Sequence, residues 1–340
     1  MSERVPGDLP NPAPIMQLST AYWGAQVLLT ANRIGLFQVL SSGPMDPATA
    51  AAALGTAERP TDLLLRACVG LGLLEATADG YRNTPAAETF LVPGRATYLG
   101  DALRYSDDLY ATWGRLEHSL REDAPALPAE VYLGRDPAQT RHFVRGMHNR
   151  ALAVGRALVG LVDLAGRRNM LDVGGGPGTY SALFAARDPQ LRSVVLDLPD
   201  VVAIAEEILT EMGAAGQVRT LGGSYYETPF PGGQDVVLIS GVFHRETAET
   251  CRDLIRRGRD ALVPGGLLVV SDVMTDASGV SPPFATLFGL NMLLTAPHGG
   301  VHRDADVAAW MGEAGLEGIQ TRPFPPPMPH RVVLGLRPEE

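Results

Sequence analysis

Apolar residues from about Met16 to Leu91 recur at helical spacing, dense in alanine and leucine, with breaks at Gly35, Gly43-Pro44 and Arg59-Pro60. The pattern predicts three helices. Asp46 is placed to cap the one that runs through Leu54, and Thr61 or Asp62 the one carrying Leu63, Leu64, Leu65, Cys68, Val69 and Leu71. The period then changes: Gly72 to Arg82 reads as two short strands joined at Asp79-Gly80, the wing of a winged helix. From about Tyr98 to Ala165 the pattern is helical again, interrupted by a loop from Asp123 to Ala129. Tyr105, Tyr110, Trp113, His142, Phe143, Met147 and His148 in this stretch read as core or interface residues, with a substrate-pocket wall as the alternative.

Beyond Asn169 strands and helices alternate. Strands are predicted at Met170 to Val173, Ser193 to Leu196, Val218 to Leu221, Asp235 to Ser240, Gly266 to Asp272 and Arg331 to Leu336. Such alternation predicts a doubly wound parallel sheet, whose ligands bind outside the carboxyl ends of the strands. The expected organisation is α/β. A mostly α winged-helix domain suited to dimerisation covers 1–95, a helical bridge contributing to a substrate pocket covers 96–165, and a Rossmann-like domain covers 166–340.

The end of the first of these strands is the most informative stretch. Met170 to Ser181 reads as a buried strand, a glycine turn and the opening of a helix, and Gly174, Gly176 and Gly178 let the main chain approach a ligand closely. Dinucleotide sites prefer G-x-G-x-x-G, whereas this spacing is G-x-G-x-G, and Pro177 removes one amide donor from any phosphate cradle. A nucleoside ligand without phosphates, such as S-adenosylmethionine, suits the turn. Asp172 is placed near its ammonium. Asp197, ending the next strand, lies close to the separation of roughly twenty residues expected of a ribose-binding carboxylate.

Composition narrows the partners. The 340 residues carry 38 acidic against 28 basic side chains, a net charge of -10, which disfavours a sequence-independent grip on nucleic acid. Every basic residue other than histidine is arginine, and few lie on the helix before the wing, so dimerisation is the expected role of that domain. Cys68 and Cys251 lie far apart without a CxxC pattern, which points to neither a disulfide scaffold nor a cysteine metal site. No apolar run reaches spanning length, and Met1 to Pro14 is polar and proline-rich without a signal-peptide core. The expectation is a cytoplasmic protein with no membrane or nucleic-acid partner.

Four motifs together resemble one family: Leu171-Asp172-Val173-Gly174-Gly175-Gly176-Pro177-Gly178, Leu196-Asp197-Leu198-Pro199, Gly222-Gly223-Ser224-Tyr225 and Leu262-Val263-Pro264-Gly265-Gly266. Over nearly the whole chain they resemble the class I S-adenosylmethionine-dependent small-molecule methyltransferases typified by caffeic acid O-methyltransferase. The resemblance implies a homodimer formed through the N-terminal domain and S-adenosylhomocysteine as product. It implies a donor site drawn from Asp172, Gly174, Gly176, Asp197, Leu198, Ser224, Tyr225 and Ser240. In the family an acid and then an apolar residue hold the adenine; here Ser224 stands for the acid, and Tyr225 is expected to pack on the ring. His244, within Val242-Phe243-His244-Arg245-Glu246, matches the family's catalytic base, but the Asp and Trp that follow it in the family are missing. The two glutamates that orient the base read Asp272 and His302.

His298-Gly299-Gly300-Val301-His302 brings two imidazoles into one flexible turn, and with His244 they form an expected ligand set for a divalent zinc or iron ion. The plainer reading leaves His298 an exposed loop residue and His302 a hydrogen-bond partner. A bound ion would chelate an α-keto acid and favour its enolate. The reaction expected first is therefore C-methylation beside the keto group, as in the phenylpyruvate-type branch of the family. His244, Arg245 and Asp272 would be catalytic, and Arg245, Arg141 and Arg145 are candidates to face the substrate carboxylate, with an ordinary surface or ion-pair arginine as the alternative for each. The alternative is O-methylation of a phenol or other hydroxyl, with His244 as general base and no metal. Met292, Leu293 and Leu294 read as pocket wall or core. A relative that holds the cofactor without methylating, and a DNA-binding regulator using the wing, weigh less.

Overall fold

The computed structural model describes residues 10–95, 97–127 and 136–339. The chain divides into two compact units, the first ending at Asp107 and the second starting at Asp108.

The first unit contains α1 (Ala13–Arg33), α2 (Leu36–Leu40), α3 (Pro47–Leu54), α4 (Glu58–Gly70), β1 (Leu74–Thr77), β2 (Gly80–Asn83) and α5 (Pro85–Phe90), and the boundary falls within α6 (Gly100–Trp113). Five helices lie where the pattern predicted three, because α2 and α5 are too short to display a helical period. Gly35, with φ of 80°, separates α1 from α2. The Asp46 carboxylate accepts the amides of Ala48 and Thr49 and caps α3 as expected. Thr61 and Asp62 do not cap α4. That helix starts at Glu58, so both lie inside it, and the Thr61 hydroxyl donates back to the Ala57 carbonyl at 2.8 Å. β1 and β2 pair antiparallel with Thr77 opposite Gly80, which is the predicted wing hairpin. Leu36, Phe37, Leu40, Leu65, Cys68 and Leu74 form the core of the unit, while Ile15, Met16, Leu18, Tyr22 and Trp23 stand exposed on α1.

After α7 (Leu116–Glu122) and α8 (Pro137–Leu161), the second unit runs β3 (Asn169–Val173), α9 (Thr179–Arg187), β4 (Arg192–Asp197), α10 (Pro199–Glu211), β5 (Val218–Gly222) and β6 (Gln234–Ser240). It continues α11 (Ala248–Ala261), β7 (Leu262–Val273), α12 (Pro283–Thr295), α13 (Asp304–Glu313), β8 (Glu317–Pro323) and β9 (His330–Leu336). The sheet order is β5-β4-β3-β6-β7-β9-β8. Alternate residues of the central strands serve opposite faces: Leu171, Val173, Val237, Ile239, Leu268 and Val270 pack into one core, and Met170, Val236, Leu238, Leu267 and Val269 into the other. Coverage on both faces explains why these strands read as continuous apolar runs.

Two features depart from expectation. The sheet is mixed, because β9 runs antiparallel to both β7 and β8. β8 itself went unpredicted: its sequence EGIQTRP is mostly exposed at the sheet edge, so it carries no apolar alternation. Among the described residues no helix is long and apolar enough to cross a membrane.

Phe37 is among the largest fully buried side chains of the first unit. Phe37→Ala is expected to lower stability by about 3–5 kcal/mol, read as a lowered midpoint in chemical denaturation. An unchanged midpoint would contradict a packed core there.

Candidate active site

The turn after β3 passes through Gly174, Gly176 and Gly178 with φ of 64°, 53° and 71°, a region where any other L-residue is strained. A Cβ on Gly174 would lie 2.7 Å from Val242 Cγ2, whereas one on Gly176 would meet nothing within 4 Å. The turn is therefore closed toward β6 and open at its middle. Asp172 lies beneath it, fully buried, with Oδ2 accepting the Ser181 hydroxyl at 2.7 Å and Oδ1 without a partner. Burial pushes its carboxyl up to about 7; Ser181 opposes the shift and the nearby charge of Asp197 adds to it. A Cβ on Gly175 would touch the Asp172 carboxyl at 2.6 Å, so the turn seals this acid inside the strand junction.

Asp197 ends the neighbouring strand and grips the same turn. Its Oδ2 accepts the Gly176 amide and its Oδ1 the Leu198 amide, each at 2.7 Å. Burial raises its pKa, against the pull of those two amides and of Arg245. Leu198 beside it is an exposed apolar side chain, 39% accessible. At the end of β5 the Ser224 carbonyl accepts the amides of Glu227 and Thr228 and its hydroxyl accepts the Tyr226 amide, so this serine shapes the turn. The Tyr225 ring comes within 3.5 Å of where a Gly174 Cβ would be. Ser240, buried at the end of β6, interacts with the Tyr180 phenol, whose pKa burial lifts to about 12. The expected donor residues thus gather at the carboxyl ends of four strands, β5-β4-β3-β6 in sheet order.

Gly241 turns β6 into a 3-10 turn, Phe243–Arg245, which carries His244. Its Nδ1 lies 2.7 Å from Asp272 Oδ1, and its main-chain amide donates to Asp272 Oδ2 at 3.2 Å. The Val273 amide donates to Asp272 as well, at 2.7 Å. Burial alone would raise the Asp272 carboxyl; the charge and hydrogen bonds of His244 and the Val273 amide outweigh it and hold the group below the usual carboxylate range. The Asp272 carboxylate accepts from Nδ1, so whenever the imidazole is neutral its remaining proton stays on Nδ1 and Nε2 carries the lone pair. Nε2 has no hydrogen bond among the described residues. The imidazole is 15% exposed and the carboxylate 3%. Phe288 stands edge-on to the imidazole at 5.0 Å, with Phe284 stacked behind it at 6.1 Å.

The three imidazoles expected to hold a metal do not converge. His302 Nε2 is 3.1 Å from the Phe243 carbonyl and 3.0 Å from that of Glu246, so this nitrogen donates a proton to both and has no lone pair for an ion. Its ring packs edge-on to Trp310 at 5.1 Å, and the Gly300 amide donates to the His244 carbonyl at 2.9 Å. The loop between α12 and α13 therefore clasps the His244 turn through its main chain. His298 is exposed, and among the described residues no group of three His, Cys, Asp or Glu side chains is placed to hold a metal ion. The donor set does not fit zinc or iron.

Arg141 and Arg145 follow the ion-pair reading. Arg141 pairs with Glu207, and Arg145 with Glu207 and Glu211, which ties α8 to α10 and commits both cations. The charge of Arg245 acts on Asp197 and Tyr226, on the glycine-turn side. Met292 and Leu294 are core residues and Leu293 is half-buried. His148 buttresses the start of α9, its Nδ1 being 2.8 Å from Thr179 Oγ1, and Trp113 donates to Asn291 at 3.0 Å. Glu246 and Tyr226 were not anticipated. Both lie next to residues that were, and the signal for them is a tyrosine pair and an acid standing at the ends of β5 and β6.

Residues 122–317 match the O-methyltransferase domain, and residues 16–93 match the O-methyltransferase dimerisation domain. The chain belongs to the O-methyltransferase family. It is an S-adenosylmethionine-dependent methyltransferase. It is 32% identical over 330 residues to 3-hydroxy-5-methyl-1-naphthoate 3-O-methyltransferase of Streptomyces sahachiroi, covering 96% of this chain and 95% of that one. The tetracenomycin polyketide synthesis 8-O-methyl transferase of Streptomyces glaucescens is 32% identical over 316 residues, at 92% and 93% coverage. An O-methyltransferase family protein from Burkholderia thailandensis superposes with a TM-score of 0.86 at 27% identity, covering 97% of this chain and 99% of that one. The first unit of the methyltransferase is accordingly its dimerisation domain.

Two predictions follow from the buried groups of this methyltransferase. The pKa of Asp172 is raised on folding, so its contribution to stability is complete below the unfolded value near 4 and is lost as pH rises through about 7. Asp172→Asn removes that loss: the stability of the variant relative to the parent should climb between pH 4 and 7 and level off above, in denaturant titrations at several pH values. A pH-independent difference would show that the carboxyl is not perturbed. His302→Phe keeps a ring against Trp310 and removes the His302 donor from the Glu246 carbonyl, while the Phe243 carbonyl keeps the Glu246 amide; the change should cost about 1–3 kcal/mol, and an undiminished unfolding free energy would sink the clasp.

Proposed function

We propose that this methyltransferase, as a homodimer, transfers the methyl group of S-adenosylmethionine to a hydroxyl of an aromatic small molecule, with His244 as general base. The observation that carries this reading is the 2.7 Å hydrogen bond from His244 Nδ1 to a buried, ionised Asp272, which leaves Nε2 to accept a proton.

The residues present fit the donor. Open space at Gly176, the carboxylate of Asp197 and the exposed apolar Leu198 suit a ligand with ribose and adenine parts. Gly174 and Gly176 would lie along it, Asp197 at the ribose, and Leu198, Ser224 and Tyr225 at the adenine, with Asp172 and Ser240 beneath. Bound there, the sulfonium supplies an electrophilic methyl carbon that needs no further activation. His244 Nε2 takes the proton of the acceptor hydroxyl as its oxygen bonds to that carbon and the carbon–sulfur bond breaks. Asp272 keeps the imidazole in the correct tautomer and stabilises the imidazolium without itself taking a proton. Phe288 and Phe284 present an apolar surface that excludes water on the acceptor side. The proton then leaves Nε2 for solvent.

The names of the two Streptomyces relatives, a naphthoate 3-O-methyltransferase and a polyketide 8-O-methyl transferase, favour an aryl hydroxyl as acceptor. C-methylation of an α-keto acid has less support, because its ion would lack converging ligands and Arg141 and Arg145 are committed elsewhere. The homodimer rests on the dimerisation domain and on the exposed apolar residues of α1.

His244→Ala should lower kcat toward a hydroxynaphthoate by about 10²–10⁴-fold while leaving the calorimetric Kd for S-adenosylhomocysteine unchanged. Retained turnover would overturn the base assignment. Methylation of phenylpyruvate on carbon, abolished by a chelator, would restore the α-keto acid reading.

A further inference from the structure

We propose that Glu246 is a positioning residue for the donor's adenine, its buried carboxylate locking the phenols of Tyr225 and Tyr226 into a rigid wall. The inference rests on the donor site described above. Glu246 is 4% exposed, and a single oxygen, Oε1, accepts both hydroxyls at 2.6 Å. The two rings lie 4.6 Å apart at 51°, and Tyr225 flanks Gly174. Burial, together with the adjacent carboxylate, raises both phenols well above their ordinary range, so each remains a donor.

Topology gives the cluster its meaning. The tyrosines follow β5 and Glu246 follows β6, and in the sheet those strands are separated by β4 and β3. The hydroxyl–carboxylate bonds therefore form an arch joining the segments that follow β5 and β6, between which lie the two strands that lead to Asp197 and the glycine turn. Both feet of the arch are fixed. Arg257 donates to the carbonyls of Tyr225 at 2.6 Å and Thr228 at 2.8 Å, and His302 donates to the carbonyl of Glu246. An apolar side chain at 246 would fill the same volume without burying a charge, and buried carboxylates are stabilising only when well paired. What the acid adds is fixed orientation: two charge-assisted bonds remove the rotational freedom of the rings that an adenine would otherwise have to order on binding.

Binding of S-adenosylhomocysteine by calorimetry tests this on the full-length enzyme. Glu246→Leu should weaken binding about tenfold, equivalent to roughly 1.4 kcal/mol, whereas Glu246→Gln, whose amide oxygen still accepts, should recover most of the affinity. The donor KM should rise in parallel and the acceptor KM should not. In a Tyr225→Phe, Tyr226→Phe background, Glu246→Leu should add no further loss. An equal loss in both backgrounds would mean that the carboxylate acts without the phenols, and unchanged affinity in Glu246→Leu would mean that it does not act at all; either overturns the inference. Should Glu246→Leu fail to fold, Tyr226→Phe carries the test: it should weaken binding about threefold, and undiminished affinity would overturn the proposal. Failure of the unaltered enzyme to take up the ligand would instead sink the donor site itself.

Discussion

Buried carboxylates at the ends of parallel strands are the constraint around which this site is built. Such an acid is tolerable only with donors supplied by the protein or with its proton retained. Asp272 receives an imidazole N–H and two amides and is held ionised, whereas Asp172 receives one hydroxyl and is pushed toward neutrality. The same residue type, at the ends of two strands separated only by β6, is thereby set to opposite tasks. One orients the imidazole of His244. The other fills a junction beneath a turn that must stay tight. Asp197 lies between these extremes, spending its oxygens on the amides of Gly176 and Leu198, so the conformation of the glycine turn and the placing of that carboxylate are one event.

His302 acts on the main chain of the turn that carries His244. A carboxylate in that position could accept from an imidazole; a second imidazole is free to donate, and here it reaches past the ring of His244 to the carbonyls on either side of it. The Phe243 carbonyl already accepts the Glu246 amide, the regular partner of the 3-10 turn, and the loop that carries Gly300 and His302 adds donors to it and to the carbonyls of His244 and Glu246. Orientation of His244 is divided accordingly: Asp272 fixes the ring, and the loop fixes the main chain that bears it.

Much of this was legible in the sequence because the period of the strands, the glycine turn and Asp197 are local signals. Leu171 and Val173 announce one face of β3 and Met170 the other; Gly174 and Gly176 require the backbone that they adopt. What was not legible depends on direction. His298 and His302 are close in sequence, but whether an imidazole points at an ion or at a carbonyl is decided by Phe243 and Glu246, more than fifty residues earlier. Arg141 and Arg145 read equally as substrate-facing or as ion-pair arginines until Glu207 and Glu211 of α10 arrive opposite them. β8 has no inward-facing period to betray it, and its pairing with β9 runs through main-chain groups that any sequence supplies.

The antiparallel β9 has a consequence for chemistry that a parallel strand would lack. Running against β7, it begins at the end of the sheet where β7 stops, so its first residues, His330 and Arg331, pair with Val273 and Asp272. Arg331 also holds Asp304, at the start of α13, at 2.7 Å. The strand carrying Asp272 is thus backed by a ladder up to its last residue, where the acid would otherwise sit on a fraying end. A carboxylate can fix the tautomer of an imidazole only as firmly as its own main chain is held. Insertion of β9 between β7 and the edge strand β8 supplies that firmness, and it moves the unpaired sheet edge two strands away from the dyad.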